Sequence, residues 1–315
     1  WEADTLVHLY SVTKPFAAAC LLLLVDRGQV ALDEPVATYW PEFARAGKER
    51  VTLRQLLSHQ AGLLGLREPH PPEAIFDWER MTSLLAAEAP WWEPGREVGE
   101  HAYFYGHLVG EVVRRVTGVM PGEFFRREIG GPWGLDFHFG LTSDEQARTA
   151  TVRGMDDEWR AGLGASPGSL YDQAMGNPPG VLDGEVINSR AWREAQIPAV
   201  NGHGTARAVA RFYAGFAAGG VLDGVRLFSE EIVREATSVQ AAGEDQLLAR
   251  HVHWGLGFQL DDDGFGMGGL GGALGWGNAE HQFGFGYVTA RMWNHDRALA
   301  VFDPAARAAG FTPVE

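Results

Sequence analysis

A single cysteine, Cys20, stands among 315 residues, so an intrachain disulfide is excluded. Cys20 lies in an apolar stretch, where packing rather than thiol chemistry is expected. Basic residues are scarce: 26 Lys and Arg against 41 Asp and Glu leave a net charge of −15. That balance argues against nucleic acid or an anionic membrane as a partner. Long apolar runs are missing too. The longest, Phe16 to Val25, falls short of the ~18 residues a membrane span needs and suits a buried helix. No secretory leader is legible at Trp1, and a cytoplasmic protein acting on a small molecule is expected. There is no internal repeat and no low-complexity tract.

The most informative stretch present is Ser11-Val12-Thr13-Lys14, followed at once by apolar residues. Residues three apart share a helix face, so Ser11 and Lys14 point the same way. A serine hydroxyl is a weak nucleophile until a neighbouring base takes its proton, and a buried amine is such a base. Four residues with two fixed also suit a plain helix start with an exposed lysine.

Helices are predicted over 15–28, 52–58, 78–88, 108–117, 121–129, 205–219, 229–237 and 297–309. Thr52 is a cap, and Gly28 and Gly118 act as terminators. Short strands with Gly-rich turns are predicted over 252–260, 273–276 and 283–291. The stretch 140–198 reads as excursion loops. The fold class is α+β: an antiparallel sheet flanked by helices beside a mostly helical region. Residues 1–10 and 205–315 form the sheet-containing part, and 11–204 the helical part.

Further blocks accompany the first motif: Ser58-His59-Gln60-Ala61-Gly62-Leu63, Trp92-Glu93-Pro94-Gly95, Tyr105-Gly106-His107-Leu108-Val109-Gly110-Glu111, Gly131-Pro132-Trp133-Gly134, Asn201-Gly202-His203-Gly204-Thr205 and Trp254-Gly255-Leu256-Gly257-Phe258. With them the chain resembles the serine β-lactamase/penicillin-binding-protein superfamily, in its class C-like branch with the family VIII esterases. The resemblance implies Ser11 as the acyl-accepting nucleophile and Lys14 as its activating amine. It also implies a helix and two strands ahead of the serine, which ten residues cannot hold. An N-terminal segment is therefore expected to be missing from the sequence.

Two elements depart from that pattern. Counting back from Tyr105-Gly106 places Glu100 where the family carries its catalytic tyrosine. A carboxylate there is expected to face Ser11 and Lys14 and to serve as the base. Tyr103 and Tyr105 are fallback phenols. On the strand expected to edge the pocket, Met267 replaces the family's lysine or histidine, followed by Gly268, Gly269 and Leu270. Methionine carries no charge and no strong donor. The usual partner for a substrate carboxylate is lost, which argues against penicillins and D-Ala-D-Ala peptides. An oxyanion hole from the backbone N–H groups of Ser11 and of a residue in 269–271 is implied. Trp92 and Trp276 are candidate pocket walls for an apolar substrate. His203 is expected to cap a helix near the site. His251, His253 and the run Asp261-Asp262-Asp263 read as a solvated turn, and no metal or cofactor is expected.

The expected activity is hydrolysis of an ester or amide through a Ser11 acyl-enzyme. A specialised acyl transferase or cyclase on the same fold is the alternative reading, and a non-catalytic binding protein the third.

Overall fold

The computed structural model describes residues 1–163, 168–262 and 264–312. Asp263, in the acidic turn, lies outside them.

The apolar run after Lys14 has no polar side. A helix of that kind is stable only inside a core. Helix α1, Lys14–Asp26, is accordingly buried from Lys14 through Leu24. Pro15 sits in its first turn, where a missing N–H breaks no helical bond. Each of Leu21 to Leu24 leaves water almost entirely, worth ~1.5–3 kcal/mol apiece. Cys20 is buried in the same helix. Ahead of α1, Tyr10–Thr13 forms a 3-10 turn.

Helix α2, Tyr105–Thr117, packs on α1 and ends at Gly118 with φ 77°. It begins three residues earlier than expected, because Tyr105 and His107 are core residues despite their polar atoms. Helix α3, Ala206–Ala217, is capped by Thr205, whose Oγ1 accepts from the Ala208 N–H at 3.1 Å. The cap is therefore Thr205 and not His203, which pairs with His8 in a small three-stranded sheet. Helix α4 is Asp296–Ala308.

The main sheet has six strands: β1 Ala241–Asp245, β2 Arg250–Trp254, β3 Gln259–Asp261, β4 Gly264–Gly269, β5 Ala273–Asn278 and β6 Phe283–Tyr287. They run as an antiparallel meander in sequence order. The predicted strand over 252–260 is broken in two, because Gly257 takes φ 88°. Helix α3 lies against β5 and β6 on one face. On the other, α4 contributes Phe302 and Ala306 to a cluster with Trp276 and Phe285. The α+β class, with an antiparallel sheet flanked by helices, is the observed one.

The stretch 140–198 is more regular than expected. It holds short helices at 143–147, 157–162, 170–175, 184–187 and 190–194. Each is opened by its own capping side chain: Thr142, Asp156, Ser169, Asp183 and Ser189. A cap can hold a helix too short to show an apolar period.

Candidate active site

Tyr10 takes φ 46°, uncommon for a bulky residue and costing roughly 1–3 kcal/mol. Its hydroxyl donates to Val181 O at 2.9 Å, and its ring stands edge-on to His8 at 4.4 Å. These contacts hold the turn that presents Ser11. The same segment is tied to the 197–204 loop: Leu9 N–H donates to Gly202 O, and Gly202 N–H to Thr13 Oγ1, both at 2.9 Å.

Lys14 is the first residue of α1, three after Ser11, and its Nζ stands 2.7 Å from Ser11 Oγ. Ser11 is half-buried and Lys14 fully buried. Glu100 Oε1 is 3.0 Å from the same Nζ, and Ala199 O is 3.4 Å away. Nζ donates to Ser11 Oγ and to Ala199 O, and Glu100 pairs with it by charge. Burial pushes the Lys14 pKa below its ordinary value, and the Glu100 carboxylate pulls it back up. Lys14 Nζ contacts both the hydroxyl and the carboxylate. No contact of Glu100 with Ser11 Oγ is seen, so the carboxylate faces the pair through the amine.

Trp92 is half-buried and flanks Glu100: a Cβ on Gly99 would stand 2.6 Å from its ring. Tyr103 belongs to the core. It is fully buried and stacks on Phe104 at 4.9 Å, so it presents no surface to a substrate. Trp276 is also not brought to the site. Strand alternation puts it on the α4 face, 6.1 Å from Phe302.

Strand β4 lies inside the sheet rather than at its edge. On β4, short β3 reaches Gly264–Gly266, leaving Met267 to Gly269 paired with β5. Met267 is buried among Val98, Ala241, Val252 and Trp254. Gly268 faces the other way, towards His295. Gly269 is where the sheet meets the serine turn. A Cβ there would lie 2.3 Å from Leu9 O, so only glycine allows the approach. Leu270 is half-buried against the main core.

Other residues stand near the centre, among them His59, which lies in a motif block that gave it no role. His59 and His101 are buried within the field of Lys14, and burial holds both well below the usual histidine range, His101 at about 3. Asp245 is buried under Glu100. Its carboxyl accepts the N–H groups of Leu247 and Leu248 at 2.9 Å and Trp254 Nε1 at 3.2 Å.

The profile of the beta-lactamase family matches residues 1–309. The chain belongs to the beta-lactamase family. Esterase/beta-lactamase LipL of Mycobacterium tuberculosis is 34% identical over 93% of this chain and 71% of its own length. A family VIII carboxylesterase of known structure superposes with a TM-score of 0.89, at 35% identity, over 98% of this chain and 84% of its own. A penicillin-binding protein homologue from Caulobacter crescentus gives 0.86 at 34% identity, over 98% and 85%. The protein is a serine hydrolase of the β-lactamase-like superfamily. No helix of the described residues is long and apolar enough to cross a membrane.

The buried histidines of this family member have a consequence for stability. His8, His101 and His107 are each pushed down to about 3, chiefly by burial. Below the unfolded value of about 6.5 the unfolded chain takes up protons that the folded chain refuses. Stability is therefore full above pH 6.5 and is lost as pH falls towards about 3. Each histidine that the folded chain keeps neutral adds to the loss in that window. Thermal melts followed by circular dichroism should show Tm dropping steeply between pH 6.5 and 5. An unchanged Tm over that range would show these rings to be solvated.

Proposed function

We propose that the protein cleaves esters of small, uncharged substrates through an acyl-enzyme on Ser11, with Lys14 and Glu100 as a proton relay. The observation that carries this is the pair of contacts from Ser11 Oγ to Lys14 Nζ at 2.7 Å and on to Glu100 Oε1 at 3.0 Å. As Oγ attacks the ester carbonyl, its proton passes to Nζ while Nζ gives one to Oε1. The carboxylate thus ends protonated and the amine stays an ammonium. Backbone N–H groups of Ser11 and of a residue in 269–271 would hold the oxyanion. On collapse the C–O bond to the leaving alkoxide breaks, and the alkoxide recovers the proton through Lys14. Water then attacks the acyl carbonyl and gives its proton to the same relay; the C–Oγ bond breaks, the acid leaves, and Ser11 Oγ recovers the proton through Lys14.

The esterase and carboxylesterase among the relatives support an ester substrate, and the setting favours one without a carboxylate. Met267 stands at the family's lysine or histidine position, inside an apolar cluster. The half-buried Trp92 beside Glu100 adds apolar surface.

Intact-mass analysis after a fluorophosphonate, run beside a panel of p-nitrophenyl esters, tests the reading. Labelling of Ser11 with ester turnover supports it. Labelling without turnover would indicate acyl transfer to another acceptor, and no labelling would refute a nucleophilic Ser11. Penicillins and cephalosporins, which carry the carboxylate, should be turned over poorly. Efficient nitrocefin hydrolysis that disappears in Ser11→Ala would show that the missing cation does not matter.

A further inference from the structure

The loop carrying Glu100 is gripped by one residue from a distant helix end. His59 O accepts the Gly99 N–H at 3.0 Å, and His59 Nδ1 accepts the His101 N–H at 3.1 Å. Glu100 lies between the two clamped peptides. We propose that His59 is a positioning residue for Glu100, its Nδ1 acceptor holding the carboxylate in reach of Lys14. The proposal rests on the reading of Glu100 as the end of the relay.

Several observations support it. Accepting at Nδ1 requires a neutral ring with its proton on Nε2. Among the described residues that Nε2 has no partner, so the buried ring spends its polarity on the Glu100 loop alone. His59 also adopts φ 62°, a left-handed conformation that a bulky residue takes at a cost. The ring is fixed from behind. It stands edge-on to Trp254 at 4.3 Å, and Trp254 Nε1 is itself held by Asp245. Asp245 completes the clamp from the sheet side: its backbone bridges Val98, and Gln246 N–H donates to Val98 O at 2.8 Å. Burial, together with His101 and Lys14, keeps His59 neutral and so able to accept.

The test compares kcat and KM on p-nitrophenyl butyrate for His59→Asn and His59→Gly. Both tolerate the left-handed backbone, but only asparagine offers an oxygen near the Nδ1 position. His59→Leu, near-isosteric with asparagine, is a second acceptor-free variant should His59→Gly not fold, and Tm is recorded for all. His59→Asn should keep kcat within about threefold, and His59→Gly should lose about 10-fold or more with KM little changed. In a Glu100→Gln background His59→Gly should cause no further loss, because its effect runs through the carboxylate. Equal losses in the asparagine and acceptor-free variants would overturn the proposal. So would an undiminished loss in the Glu100→Gln background. Near-full activity of Glu100→Gln alone would instead overturn the relay reading, and this inference with it.

Discussion

Ser11→Ala is expected to abolish both ester turnover and fluorophosphonate labelling while leaving the fold intact. The loss in kcat should be on the order of 10⁴-fold or more, as for removal of any covalent nucleophile. The physical reason is local. Ser11 Oγ only accepts from Lys14 at 2.7 Å, and Nζ keeps Glu100 and Ala199 when the hydroxyl is gone. The buried charge therefore stays paired, and no large destabilisation follows. The melt of Ser11→Ala should match the parent within about 0.5 kcal/mol. Residual labelling at another residue, or turnover above a tenth of the parent's, would sink the assignment of Ser11.

Glu100→Gln is expected to cost about 10²-fold in kcat, as loss of a general base does. The substitution keeps the shape and a hydrogen-bonding oxygen, so packing against Gly99 and Trp92 is spared. What changes is the charge beside Lys14. With the carboxylate gone, burial alone acts on the amine, and its pKa falls further. The residual activity then belongs to a neutral Lys14. It should be present above that lowered pKa and disappear as pH falls through it. The chain contains two lysines, Lys14 and Lys48, so lysine-selective ¹⁵N NMR reads the amine directly. Glu100→Tyr restores the residue the family resemblance places there and should recover activity above that of Glu100→Gln. Near-full activity in Glu100→Gln, or a Lys14 titration that does not move, would leave Glu100 a loop residue.

Part of this site was legible without coordinates. The three-residue spacing of Ser11 and Lys14 works even though a 3-10 turn runs into α1 between them. Glu100 was reached by counting from Tyr105-Gly106, which opens α2. Trp276 was misassigned because its orientation depends on register. Leu274, Trp276 and Asn278 share one face of β5, and only pairing with β4 and β6 says which helix covers it. Strand β1 was missed because Ala-Ala-Gly-Glu-Asp carries little β propensity; its pairing with β2 decides. Tyr103 and Tyr105 look alike as letters, and packing put both in the core.

By itself the sequence determined the serine–lysine pair, the buried helix behind it and the family of the chain. These depend on spacing and composition over short stretches. The count back from Tyr105-Gly106 also points to Glu100, but the tertiary structure decided that its carboxylate meets the pair through Lys14 Nζ and that His59 and Asp245 grip its loop. Those groups are far apart in the chain and meet only because backbones pack closely. A Cβ on Gly106 would lie 2.2 Å from the Pro198 carbonyl carbon, so glycine lets the start of α2 press against the loop that supplies Ala199. Long-range contact of this kind depends on which residues are absent at the crossing as much as on those present, and local pattern does not record it.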